Sequence, residues 1–194
     1  MFINWKLREI TLKIVYYGPA LSGKTTNLEY IHAKTNPAMR GELISLKTRE
    51  DRTICFNFLQ VGLGQIRGLG PKFNLYTAPG QMCDISGRKL VLQNADGIVF
   101  VADSQAGRLQ ENLDSLTDLE QNLGELGGAL AAVPFVVQLN KRDLPDALTV
   151  ERLRRELNCN GAPLFEAVAT HGVGVFDTLK AVINLVITKV QMSA

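Results

Sequence analysis

The sequence predicts an α/β fold, a mostly parallel sheet with helices on both faces. Three observations carry this. The apolar runs 97–102 and 134–139 lack polar alternation, as expected of strands buried on both faces. Between them Leu109, Leu113, Leu116, Leu119, Leu123 and Leu126 recur at spacings of three and four, one face of a long helix. Near the start, an apolar run at 10–17 leads into Gly18-Pro-Ala-Leu-Ser-Gly-Lys-Thr25, and a helix pattern follows at once.

In chain order, residues 1–8 read as a short lead-in or edge strand and 10–17 as the first core strand. Thr25 to about Lys34 is the first helix, stopped ahead of Pro37. Residues 36–49 have no clear period and read as a loop. The alternating, aromatic-rich stretch 53–61 predicts a strand, and Gly62, Gly64, Gly68 and Gly70 break up a hairpin region after it. Strand 73–77 ends in Ala78-Pro-Gly-Gln81, a turn sequence, and 86–94 holds a short helix. After the long leucine-faced helix and strand 134–139, Thr149 is placed to N-cap a further helix, with Glu151 in its first turn. The last strand spans 164–168. Val175, Leu179, Val182, Ile183, Val186 and Val190 then form one face of the final helix.

With 194 residues and 46% hydrophobic side chains, the chain suits one globular domain. A net charge of +2 makes no case for nucleic acid or an anionic membrane as the main partner. Cys55, Cys83 and Cys159 are odd in number and far apart, which fits a reducing cytoplasm better than a zinc site or a disulfide framework. No apolar run reaches the ~18 residues of a membrane span. Met1-Phe2 lacks the myristoylation glycine, and the last four residues are not a prenylation box, so no direct lipid anchor is expected.

The spacing G-x-x-x-x-G-K-T between a strand and a helix is that of a phosphate-binding loop. Backbone N–H groups from Gly18, Ala20, Leu21, Ser22, Gly23, Lys24, Thr25 and Thr26 would converge on the anion, aided by the helix N-terminus. Lys24 would reach the β- and γ-phosphates, and the Thr25 hydroxyl would bind Mg²⁺. In open α/β sheets ligands sit outside the carboxyl ends of the strands. The phosphate loop, Thr77-Ala-Pro-Gly80, Asn140-Lys-Arg-Asp143 and Val168-Ala169 all fall at such ends. The Asp143 carboxylate can accept from N1–H and the 2-amino group of guanine, a pair that adenine lacks, so it selects GTP and GDP over adenine nucleotides. Asn140 and the Lys141 stem would brace the loop and cover the base.

With these motifs in this order the chain resembles the Ras-like small GTPases. It is similar in particular to the bacterial MglA family, in Ile14-Val-Tyr-Tyr-Gly-Pro19, Ser22-Gly-Lys-Thr-Thr-Asn27, Leu75-Tyr-Thr77, Pro79-Gly-Gln81 and Arg88-Lys-Leu90. Gly97-Ile-Val-Phe-Val-Ala-Asp-Ser104, Asn140-Lys-Arg-Asp-Leu-Pro145 and Gly174-Val-Phe-Asp-Thr-Leu-Lys180 extend the likeness over nearly the whole chain.

This resemblance implies a Ras-like P-loop GTPase domain over 1–194, acting as a cytoplasmic nucleotide switch that sets the leading pole in motility. It implies polar recruitment, an exchange factor, effectors of the GTP form, and an MglB-like roadblock homodimer that speeds hydrolysis by a free monomer. It makes Thr53 the switch threonine near Mg²⁺, Gln81 the residue that orients the attacking water and Arg52 an arginine finger within the chain. Gly80 would join the nucleotide-binding residues, and Val168-Ala169 would meet guanine O6 through a backbone N–H. Thr77 stands where most GTPases place an aspartate, a feature this family shares. Two departures stand out. Ala20 replaces a loop glycine, which bears on hydrolysis, and Met82-Cys83-Asp84 replaces a segment that usually carries an aromatic pair, which bears on the partner surface. The competing expectation is a GTP-dependent scaffold that hardly hydrolyses. A phosphate-loop ATPase or nucleoside kinase would leave Asn140 and Asp143 without a role.

Overall fold

The computed structural model describes residues 1–46, 56–62, 69–80, 85–159 and 161–192. Its centre is an eight-stranded sheet in the order β3-β4-β5-β2-β6-β7-β8, with β1 (Phe2–Asn4) paired to β2 (Glu9–Tyr17). The other strands are β3 (Ile44–Leu46), β4 (Phe56–Gly62), β5 (Gly70–Thr77), β6 (Gly97–Asp103), β7 (Phe135–Asn140) and β8 (Leu164–Glu166). β2 runs parallel to β5 and β6, and β6, β7 and β8 continue in parallel. The β3–β4, β4–β5 and β1–β2 pairs are antiparallel.

The alternation of β2 divides the core. Ile10, Leu12, Ile14 and Tyr16 point to one face with Val99 and Val101 of β6, under α1 (Lys24–Lys34) and α5 (Val175–Met192). Val15 and Tyr17 point to the other with Ile98, Phe100 and Ala102, under α2 (Ile85–Leu92), α3 (Leu109–Glu125) and α4 (Val150–Leu157). The leucine stripe buries Leu116, Leu119 and Leu123 of α3 against β6 and β7, as its spacing requires. Thr149 caps α4 by accepting from the Arg152 N–H at 3.3 Å.

Three boundaries differ from the sequence expectation. The stretch after α1 is not all loop: a 3₁₀ turn at Pro37–Met39 leads to β3, which is held by register with β4. β5 starts at Gly70 and not at Phe73, because the Gly70 N–H donates to the Arg8 carbonyl at 2.7 Å and the strand pairs with β2 from Glu9 onward. β8 stops at Glu166, where the chain turns back so that Val168 bridges Val173. The hairpin glycines Gly64 and Gly68 lie outside the described residues.

Candidate functional site

The four segments expected on one rim do meet at the carboxyl ends of β2, β5, β6, β7 and β8. Asn140, at the end of β7, is the joint between three of them. Its Nδ2 donates to the Ser22 carbonyl at 2.7 Å and its Oδ1 accepts from the Ala169 N–H at 2.9 Å. The residue is buried, so both ends of the carboxamide are used where leaving either unpaired would be costly. The close approach explains Gly23: its φ is +102°, and a Cβ there would lie 2.1 Å from the Asn140 amide nitrogen.

A pocket of about 200 Å³ opens beside this joint. Leu21, Gly23 and Thr26 of the phosphate loop line one side, and Asn140, Lys141, Asp143, Val168 and Ala169 line the other. Asp143 is exposed, and its carboxylate has no partner among the described residues. The pocket therefore presents an open acceptor pair beside an apolar wall, a donor–acceptor pattern that fits a guanine edge. Lys141 sits at φ +65°, and its Nζ is drawn to the buried Asp103 carboxylate at 2.5 Å.

The phosphate loop is held from behind by cations. Lys24 is buried, and its Nζ donates to the carbonyls of Gly18 at 2.9 Å and Pro19 at 2.5 Å. Burial pushes this ammonium down to about 7, and the Arg88 and Arg108 charges add to the effect. The Ala20 carbonyl accepts from Arg108 at 2.6 Å. Gly80 lies against this loop: a Cβ on it would be 2.5 Å from Ala20 Cα and 2.9 Å from Lys24 Nζ. The preceding residue is fixed by Arg88 of α2, whose Nε donates to the Pro79 carbonyl at 3.0 Å while another guanidinium nitrogen meets Asp118 of α3 at 2.7 Å.

The hydroxyls expected near a metal also come together. Thr25 is exposed at the start of α1, and its Oγ1 accepts from the Asn57 carboxamide at 2.7 Å. The Asn57 backbone N–H donates to Thr77 Oγ1 at 2.8 Å. No cluster of three or more metal-binding His, Cys, Asp or Glu side chains exists among the described residues. One hard hydroxyl oxygen at a phosphate loop still fits Mg²⁺, which keeps several waters and takes phosphate oxygens alongside one or two protein ligands.

Gln81, Arg52 and Thr53 lie outside the described residues, as does the segment 82–84. Four residues at the rim were not singled out for the site by the sequence: Asn57 and Arg108, which fall in no motif, and Arg88 and Asp103, which lie in stretches of the family likeness with no role attached. Each reaches the site from a different element, so no local spacing ties them to the loops they hold.

The decisive comparison covers almost the entire chain. Residues 1–186 match the model of the ADP-ribosylation factor family. The mutual gliding-motility protein MglA of Myxococcus xanthus (strain DK1622) is 55% identical over 190 residues, spanning 98% of this chain and 97% of that protein. This chain belongs to the MglA group of Ras-like small GTPases. As an MglA-type GTPase it has the α/β phosphate-loop fold seen here, and guanine-nucleotide binding with GTPase activity is the property of the family. No helix among the described residues is long and apolar enough to cross a membrane.

Proposed function

We propose that this protein is a GTP-operated switch in cell motility and polarity, turned off by hydrolysis that an MglB-like roadblock homodimer accelerates. The observation that supports it best is the Asn140 joint, which ties the phosphate loop to the base loops around an open pocket with an unengaged Asp143. In this reading guanine seats against Asp143 and the Ala169 backbone, with Val168 beside it. The phosphates lie along the N–H groups of residues 20–26, and Lys24 turns from the Gly18 and Pro19 carbonyls to share its charge with them. Thr25 and Thr53 would hold Mg²⁺, which would supply charge neutralisation at the β- and γ-phosphates. Gln81 orients water, and Arg52 offsets the charge that builds in the transition state. The protein acts as a cytoplasmic monomer recruited to a pole, with an exchange factor and effectors as further partners, and Met82-Cys83-Asp84 shapes the partner face.

A second reading, a GTP-dependent scaffold with little hydrolysis, is favoured by one contact. Gly80 lies so close to the Ala20 backbone and Lys24 that a Cβ on it would fall 2.5 Å from Ala20 Cα, and in this reading such an approach leaves water and Gln81 little room to share. The test is the GTP:GDP ratio of nucleotide released from purified protein, followed over time with and without a cognate roadblock dimer. Conversion to GDP, faster with the dimer, is expected. GTP that persists in both samples selects the scaffold.

A further inference from the structure

Three successive carbonyls of the phosphate loop are each held by a cation. Lys24 takes those of Gly18 and Pro19, and Arg108 takes that of Ala20 at 2.6 Å. The two cations differ in duty. Lys24 must also serve the phosphates, whereas Arg108 stands at the start of α3 with its side chain 26% exposed. The other face of its guanidinium is turned to Asp103, with Nε 3.7 Å from Oδ2, and its remaining nitrogen pairs with Glu111.

Asp103 ends β6 and is fully buried. Its carboxylate has three engagements. Oδ2 meets Lys141 Nζ at 2.5 Å and Arg108 Nε at 3.7 Å, and Oδ1 accepts from the Gln105 N–H at 3.1 Å. Asn112 of α3 fixes the backbone beneath it, accepting from the Asp103 N–H at 2.9 Å and donating to its carbonyl at 2.8 Å. A buried carboxylate is retained only when it is paired, and this one is paired with the base loop on one side and the phosphate loop on the other. Lys141 is also a non-glycine residue in the left-handed region, a costly conformation that a firm anchor on its side chain helps to hold.

We propose that Arg108 and Asp103 are positioning residues of the nucleotide site, forming one ionic bridge that sets the phosphate loop and the base loop relative to each other. The bridge is independent of the Asn140 joint. Arg108 acts through the Ala20 peptide. That peptide is planar and trans, so fixing its C=O toward Arg108 fixes the Leu21 N–H on the opposite side of the chain. Arg108 thus orients a donor of the anion cradle without touching the ligand. Asp103 acts on the phosphate loop only through Arg108, and on the base loop directly through Lys141. This inference rests on the reading of the site as a guanine-nucleotide site.

The test compares wild type with Arg108→Ala, Arg108→Lys, Asp103→Asn and the Arg108→Ala/Asp103→Asn double variant. Release of a fluorescent GDP, the GDP-to-ADP affinity ratio and the Tm are measured on each. Arg108→Ala is expected to release GDP about tenfold faster, the size of one charge-assisted hydrogen bond, with its GDP-to-ADP ratio unchanged. Arg108→Lys restores part of the loss. Asp103→Asn speeds release and also lowers the GDP-to-ADP ratio, because Lys141 loses its anchor. The double variant releases GDP no faster than Asp103→Asn alone. A merely structural role would lower Tm and leave release at the wild-type rate, and that result in Arg108→Ala overturns the proposal. Multiplying effects in the double variant overturn it too. Should Asp103→Asn not fold, the two Arg108 variants decide. A wild-type protein that binds no GDP would instead sink the site reading itself.

Discussion

Raising the pH above 7 is expected to weaken nucleotide binding through one group. Lys24 is buried, and among the described residues no carboxylate is paired with it. Burial first, then the Arg88 and Arg108 charges, bring its ammonium down to about 7. Bound phosphates reverse this, since opposite charge at contact distance favours the charged amine. Binding therefore carries a proton onto Lys24 whenever the solution is more basic than the free site. At pH 8 roughly one free molecule in ten has Lys24 charged, so GDP binding should take up ~0.9 proton. From pH 8 to pH 9 affinity should fall about tenfold, or ~1.4 kcal/mol. The nucleotide's own phosphate, with a second pKa near ~6, is already ionised there and adds no slope. The assay is calorimetric titration of nucleotide-stripped protein with GDP at pH 8, in buffers of differing ionisation enthalpy. The dependence of the observed heat on that enthalpy gives the protons taken up. Stability of the empty protein should move the opposite way. Its folded state binds fewer protons than the unfolded chain between about 7 and 10.5, so it gains stability as pH rises through that window. Zero proton uptake at pH 8 would refute the argument, because Lys24 would then be charged in the empty site.

Asp143→Asn should weaken GDP binding by at least ~100-fold and gain xanthosine diphosphate, since the amide offers a donor where guanine N1–H needs an acceptor. Unchanged GDP affinity in a competition assay would remove Asp143 from base recognition. Ala20→Gly should raise partner-stimulated hydrolysis with little change in GTP affinity, because it removes a methyl from the phosphate loop, where Gln81 and Arg52 must enter, while the N–H donors remain. Arg52→Ala should lower hydrolysis most in that glycine background, by ~10³-fold or more if Arg52 is the finger. A stimulated rate that ignores either change in single-turnover assays would count against the crowding argument.

Much of the fold was legible because local chemistry and tertiary position agree. The uninterrupted apolar runs became β6 and β7, buried along their whole length. The leucine stripe became α3, and Thr149 capped α4. The rim was legible as well, since a phosphate loop and the Asn140–Asp143 turn each carry their geometry in a few adjacent residues. β3 was not legible. Ile44–Leu46 has only three residues and no period of its own, and it is a strand because β4 lies beside it. The early start of β5 at Gly70 has the same cause, a hydrogen bond to Arg8 far away in sequence.

The sequence by itself determined the α/β class and placed the 18–25 loop and the 140–143 turn at strand ends, because each rests on interactions within a few residues or on a repeating pattern. Only the tertiary structure decided how those loops are held: Asn140 between Ser22 and Ala169, Asn57 between Thr25 and Thr77, and Asp103 and Arg108 between Lys141 and Ala20. These partners come from separate strands and helices. A buried polar group takes whichever partner the packed sheet delivers to it, and no spacing along the chain encodes that meeting.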